Sequence, residues 1–414
     1  MSTYSHLSQR VVRIAMTVGP GLVVMFADAD AGSLITAAQS GAEWGYRLLL
    51  LQMVLIPLLY MAQELSIRLA LGTGKGYGEL IRQRFGRGAA FLSLLTLMMS
   101  CFGALLTQMS GLAGAGQLLG VPIWQTIALV VVLIFTMMWT GSYRSVEKIA
   151  IAFGLFGLAF LLVAWKAHPD LQQIGQQMQE LPLHDHRFLY LIAANLGTSI
   201  MPWTLIYQQS ALLDKGLGLS HLKIARTETV IGATLCQLVQ AAVLVAAAAS
   251  FGQRGVVLET VPQIADAFTA VLGQSVGHLV FVIGMTGSAM VATIVVCLTA
   301  AWSVGEVIGV RHSLEQHPRE APWFYVAFAV MLVAGGVLVC SGINLIHLSI
   351  ATGVINALLL PVVLGFLYSL ARTELPAALR LQGTYAIIVA VLFIVTAGVG
   401  LYAGIVGILT GVSQ

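Results

Sequence analysis

The stretch Phe26-Ala27-Asp28-Ala29-Asp30-Ala31-Gly32-Ser33 decides how this sequence is read. It sets two aspartates inside an apolar run, Ile14 to Ala38, that is long enough to cross a bilayer. A carboxylate at the bilayer centre costs about 2.5–3.5 kcal/mol on insertion scales, so it persists only when paired, facing water or binding an ion. The Ala31-Gly32-Ser33 that follows Asp30 is a poor helix core. Unwinding there is expected to leave backbone carbonyls beside Asp30 as oxygen ligands supplied by the chain itself. These features predict a cation site in a broken membrane helix.

The rest of the chain fits a membrane setting. It is 58% hydrophobic and only 9% charged, with mean hydropathy +0.91, against about 25% charged residues in soluble domains. The net charge of +3 is small, and no basic run interleaved with aromatics appears, so nucleic acid is not an expected partner. Cys101, Cys236, Cys297 and Cys340 stand singly in apolar segments, which reads as buried small residues and not as a disulfide or metal framework. Arg10 and Arg13 precede the first span, and no small-residue cleavage site follows.

Eleven apolar runs predict an all-α polytopic protein: 13–41, 47–71, 89–117, 122–141, 145–165, 188–212, 227–251, 275–308, 322–341, 344–371 and 383–410. The first and sixth carry Gly/Pro interruptions, Asp30-Ala31-Gly32-Ser33 and Gly197-Thr198-Ser199-Ile200-Met201-Pro202, five spans apart. Interruptions at matching positions in two halves point to an inverted-repeat transporter with its site at the midplane. The 414 residues then form a single transmembrane domain, with one repeat over 13–165, a second over 188–371 and an extra helix over 383–410. With the N-terminus in the cytoplasm, sixteen of the twenty Lys and Arg residues fall inside and only Arg47, Lys166, Arg187 and Arg254 outside. An odd number of spans puts the C-terminus outside, as expected for an integral protein of a bacterial inner membrane. The stretch 168–187, which holds His184-x-His186, is a solvated outer loop or external gate, and 256–271 reads as an amphipathic surface helix.

Four residues are the candidate ligands. Asp30 offers a carboxylate and Ser33 a hydroxyl. Pro202 lacks the N–H that the Thr198 carbonyl would otherwise receive, and it disfavours helix at Met201. The Met201 thioether discriminates against hard Ca²⁺ and Mg²⁺ in favour of softer transition metals. Asp30 has a second reading, as a structural carboxylate bonding amides at the break. Asp28 lies about 200° from Asp30 around a helix, so the two share a site only if the chain unwinds. Gln108, Gln208, Gln209 and Asn356 either line a pathway or bond between helices. Glu64 with Arg68 reads as an ion pair, and Glu147 and Glu306 read as anchors near helix ends. There is no GxSxG, HExxH or P-loop, so neither an enzyme, a cofactor nor coupling to ATP is expected.

At this point the residues resemble a known family. Gly19-Pro20-Gly21 leading to Asp30-Ala31-Gly32-Ser33, then Gly41-Ala42 and Gly45-Tyr46, is similar to the opening of the NRAMP metal-ion transporters. Gly197-Thr198-Ser199-Ile200-Met201-Pro202-Trp203 with Ser210-Ala211 is similar to their sixth helix. The resemblance implies a LeuT-like fold of two inverted five-helix repeats plus one helix, with Asp30, Ser33, the Thr198 carbonyl and Met201 around the ion. There are departures. Ser33 stands for the family's Asn and Ala31 for its Pro, Trp203 and Gln209 occupy the places of two sixth-helix histidines, and Gln108 and Gly111 those of the third helix's acidic pair. None of these four residues titrates. The pattern looks more like the NRAMP-related magnesium transporters, which move Mg²⁺ and Mn²⁺ without proton coupling but carry Ala where Met201 stands.

The leading expectation is a carrier for Mn²⁺, with Mg²⁺, working by alternating access with weak or no proton coupling. Its partners are the divalent ion and the lipid bilayer, and a monomer is compatible with the sequence. The alternatives are a proton-coupled Mn²⁺/Fe²⁺ symporter, an amino-acid or organic-cation carrier on the same fold, and a metal sensor that has lost transport.

Overall fold

Apolar runs in this chain become helices because a backbone in hydrocarbon must satisfy its own hydrogen bonds. The computed structural model describes residues 19–139, 143–251, 255–310, 313, 314, 316, 319–342 and 344–410. Arg10, Arg13, Arg254 and Arg311, which entered the charge bias, and the first part of the 13–41 run lie outside the described residues, as does the Arg144 side chain.

The first broken span is α1 (Pro20–Asp28) and α2 (Ala31–Trp44), set at 42° to one another. Then follow α3 (Leu49–Thr73), α4 (Tyr77–Leu118), α5 (Ile123–Trp139), α6 (Tyr143–Gly157) with α7 (Ala159–Lys166), and the short α8 (Leu171–Gln177). The second broken span is α9 (His186–Ser199) and α10 (Pro202–Asp214). The chain closes with α11 (Leu222–Phe251), α12 (Val261–Leu272), α13 (Gln274–Ile308), α14 (Pro322–Val339), α15 (Leu345–Thr373) and α16 (Gly383–Leu409). Among the described residues nine segments are long and apolar enough to span a membrane, and the bent pair α1/α2 makes ten. The fourth expected span, 122–141, is represented by the shorter apolar α5. The surface helix expected over 256–271 is α12, which buries Val261, Ile264, Ala265 and Phe268. Residues of α4 before Gly86 run in a different direction from those after it, because Gly86 adopts φ 85°.

Packing puts the two broken spans at the centre. The α2 helix lies against α11, and α9 lies against α15 and α16. Small residues permit the closest crossings. A Cβ on Gly197 would collide with the Gly353 carbonyl of α15, and one on Gly41 with the Leu244 carbonyl of α11. By contrast α16 presents Ile387, Val391, Ile394 and Val395 outward, the face expected towards lipid.

Both ends of the broken spans are pinned by charge. At one end Arg187, opening α9, grips Glu43 near the end of α2 through two bonds of 2.7 Å. At the other, Glu228 of α11 accepts from the Gly19 N–H at 2.6 Å and the Leu22 N–H at 3.0 Å, capping α1. Lys215, just past α10, pairs with Glu147 at 2.8 Å. The expected Glu64–Arg68 pair is present at 2.6 Å and is joined by Arg226 at 2.5 Å.

Candidate metal site

The first break is made by a cap. Asp30 is extended (φ −86°, ψ 176°), and its Oδ1 accepts the Ser33 N–H at 2.7 Å, so α2 starts at Ala31. Aspartate is among the strongest N-caps. This corrects the expected position of the unwinding. Ala31-Gly32-Ser33 forms the first helical turn, and the unwound residues are Ala29 and Asp30. A good cap, with Gln108 Oε1 taking the Ala31 N–H at 3.0 Å, outweighs the weak helix propensity of Gly and Ser.

The free carbonyl moves with the break. The Ser33 hydroxyl lies 3.1 Å from the Asp28 carbonyl and 3.0 Å from that of Asp30, donating its one proton between them. The Asp30 carbonyl also takes the Leu34 N–H at 3.0 Å. Among the described residues no donor reaches the Ala29 carbonyl. The oxygen left open therefore precedes Asp30 and does not follow it.

Gln108 of α4 is an interhelical bridge. Its Nε2 donates to Asp30 Oδ2 at 2.6 Å and also approaches the Thr107 hydroxyl at 3.0 Å and the Ala104 carbonyl at 3.1 Å. Both Asp30 oxygens are thus engaged, one by a backbone amide and one by Gln108, and each keeps a second lone pair for a cation. Asp30 is 1% exposed.

At the second break Ile200 and Met201 leave the helical path, Met201 adopting φ −92° and ψ 135°. The Thr198 hydroxyl turns back to the Ala194 carbonyl at 2.9 Å, leaving its own carbonyl without the N–H that Pro202 lacks. The Met201 carbonyl is occupied by Thr204, from N–H at 3.2 Å and hydroxyl at 2.9 Å, so only its buried thioether remains. Trp203 is fully buried with no partner for its Nε1.

The two breaks are joined by a chain of contacts. Cys236 Sγ–H donates to Asp28 Oδ2 at 3.3 Å, Gln240 Nε2 donates to Cys236 Sγ at 3.3 Å, and the Ser199 hydroxyl donates to Gln240 Oε1 at 3.1 Å. Asp28 and Asp30 thus turn to different partners. Gln208 bonds Thr229 at 2.8 Å, Gln209 bonds the Lys75 carbonyl at 2.9 Å, and Asn356 accepts from Ser100 at 2.7 Å. These three bond to neighbouring segments, and among the described residues none is bonded to Asp30. Glu306 anchors Ser210 at 2.7 Å and the Gly78 N–H at 3.0 Å. His184 and His186 are exposed, with Asp185 between them capping α9.

Sequence reasoning missed Cys236, Gln240 and Ser199. The available signal was Cys236 and Gln240 four apart on one helix face, with Gln237 beside them. Among the described residues no group of three or more His, Cys, Asp or Glu gathers as a metal cluster. A site here draws on one carboxylate plus neutral oxygens and a thioether.

Comparison with known proteins agrees with this fold. The family model for natural resistance-associated macrophage protein-like (Nramp) proteins matches residues 21–405. A divalent metal cation transporter MntH of Ralstonia nicotianae is 28% identical over 304 residues, covering 69% of this chain and 67% of that protein. MntH 1 of Pseudomonas aeruginosa is 29% identical over 256 residues, 59% of this chain and 58% of its own length. Among solved structures, a manganese transporter of Eremococcus coleocola superposes with TM-score 0.74 at 17% identity, over 94% of this chain and 86% of that one. Mhp1, a nucleobase-cation-symport-1 family transporter, gives 0.54 at 16% identity, over 94% and 91%. The all-helical, LeuT-like architecture is shared with both.

Proposed function

The chain belongs to the Nramp family, and from that premise we propose that it carries divalent metal ions, Mn²⁺ first and Mg²⁺ with it, into the cytoplasm by alternating access. Curated relatives named as divalent metal cation transporters, which this chain matches over 67% and 58% of their lengths, support the class of cargo. The observation that carries the reading is the Asp28–Cys236–Gln240–Ser199 chain, which ties the end of α1 to the end of α9. In this reading the Asp30 carboxylate, Ser33, the Thr198 carbonyl and the Met201 thioether share the ion, and the open Ala29 carbonyl is a further oxygen within reach of the first break. Asp30 supplies the charge, the carbonyls are hard ligands and Met201 biases the set towards Mn²⁺.

Opening at one end requires release of Arg187 from Glu43, and at the other release of α1 from Glu228 and of Lys215 from Glu147. Exchange between these states is the alternating access. The two repeats, 13–165 and 188–371, would rock against one another, with the N-terminus in the cytoplasm of a bacterial cell and the C-terminus outside. The branch is that of the NRAMP-related magnesium transporters. Gln108, Gly111, Trp203 and Gln209 hold no titratable group, so little or no proton flux accompanies the metal. Uptake into proteoliposomes tests the site: Asp30→Ala should abolish saturable Mn²⁺ and Mg²⁺ entry, and wild-type rates in that variant would overturn the ligand assignment.

A further inference from the structure

The link between the two breaks, which the transport reading uses only as a tie between α1 and α9, also holds groups that could bind a cation themselves. Asp28 is fully buried, and its Oδ2 has one partner, the Cys236 thiol at 3.3 Å. Its Oδ1 has none. A thiol is a weak donor, and a buried carboxylate without compensation is costly. Asp28 closes α1 and Ser199 closes α9, so two helix C-termini, each carrying partial negative charge, converge on this spot. Among the described residues no Lys, Arg or His side chain is bonded to Asp28, Cys236, Gln240 or Ser199. The carboxylate thus has no cationic side chain bonded to it, and the positive helix ends nearby are those of α2 and α10, which point into the breaks.

The sulfur selects the kind of cation. Thiolate with carboxylate and neutral oxygens suits Zn²⁺ or Cd²⁺ and not Ca²⁺ or Mg²⁺. The Cys236 sulfur already faces the Asp28 carboxylate, and the Gln240 and Ser199 oxygens lie next along the same chain of contacts.

We propose that Asp28 and Cys236 form a second cation site, beside the transport site, that takes a thiophilic divalent ion and inhibits transport when filled. The thiol proton leaves to water as the metal–sulfur bond forms, and the ion then bridges α1 to α11. A bridged α1 is held against α11, which opposes the movement that transport needs. The inhibition rests on the transport reading; the binding does not.

The test uses the full-length protein with Cys101, Cys297 and Cys340 changed to Ala, so that Cys236 is its one thiol. Titration with Cd²⁺ should give a stoichiometric thiolate-to-cadmium absorption band in the ultraviolet. Further change of Cys236→Ser should remove the band, and Asp28→Asn should weaken Cd²⁺ binding by about tenfold or more. In proteoliposomes, Cys236→Ser in the otherwise natural chain should relieve Cd²⁺ inhibition of Mn²⁺ uptake by a similar factor. No band from single-thiol protein that elutes as a folded peak, or unchanged affinity in Asp28→Asn, overturns the site. If the band forms but the natural chain itself carries no Mn²⁺, the transport reading fails and this site stands.

Discussion

Substituting Asp30→Asn separates the cap from the ligand, because the hydrogen bonds around it have a fixed polarity. Asp30 accepts on both oxygens, from Ser33 N–H at 2.7 Å and Gln108 Nε2 at 2.6 Å, while Gln108 Oε1 accepts the Ala31 N–H at 3.0 Å. An asparagine keeps the cap by turning its oxygen to Ser33, but its NH₂ then meets the NH₂ of Gln108. Flipping Gln108 only moves the donor–donor conflict to Ala31. Each arrangement loses one charge-assisted bond, about 2 kcal/mol, or about 30-fold in the folded-to-unfolded ratio. Adding Gln108→Glu restores the circuit, since both its oxygens accept and the negative charge moves to α4. Denaturant titration in micelles should therefore show Asp30→Asn destabilised and the double variant recovered in part, because the oxygen that replaces Gln108 Nε2 faces the Ala104 carbonyl. Mn²⁺ uptake should be lost in both, because the restored charge sits on the wrong side of the ion. Wild-type uptake in the double variant would make Asp30 a structural cap and refute its role as ligand. Unchanged stability in the single variant would refute the polarity argument.

Three other outcomes follow from the same geometry. Met201→Ala should leave uptake intact but shift preference from Mn²⁺ towards Mg²⁺ and Ca²⁺, read by competition in proteoliposomes; an unchanged ratio makes Met201 a packing residue. A lumenal pH dye should report no acidification during Mn²⁺ entry, and acidification that scales with metal flux would overturn the uncoupled reading. Arg187→Ala leaves Glu43, whose side chain is 6% exposed, with Gln39 Nε2 as its remaining side-chain donor, at a cost of about 1–3 kcal/mol, between exposed and fully buried pairs. Labelling of Thr36→Cys, two helical turns deeper than Glu43 on one face, should then speed up about tenfold or more, and unchanged labelling would mean that this pair does not close the path.

What was legible in the sequence depended on how local the signal was. The two breaks could be read because Asp, Gly and Pro act on the backbone within a few residues. The exact turn of the first break was misplaced, since the outcome depended on Gln108, 78 positions from Asp30, satisfying the cap from another helix. Cys236 read as a small apolar residue because its role exists only once α11 lies beside α1. The Glu43–Arg187 and Glu147–Lys215 pairs join residues 144 and 68 positions apart, and only the fold brings them together. Gln208 and Gln209 read equally as path lining or as bonds between helices, and each makes a bond, to Thr229 and to the Lys75 carbonyl, that local sequence does not foretell.

Charge balance explains why Asp28 belongs to the same problem as Asp30. At the proposed site a divalent ion would meet one carboxylate directly, and every other proposed ligand is neutral. Gln108 stands where the family has an acid, so the third span adds no charge. In the proposed transport site Asp28, two residues from Asp30 and fully buried, would supply the second negative charge without a direct bond to the ion. Its field acts across a low-dielectric interior, where charges separated by several ångströms still interact strongly. The pair therefore matches a divalent ion in charge while only one of them sets its geometry. The same uncompensated carboxylate, turned towards a thiol, leaves room for an ion that prefers sulfur.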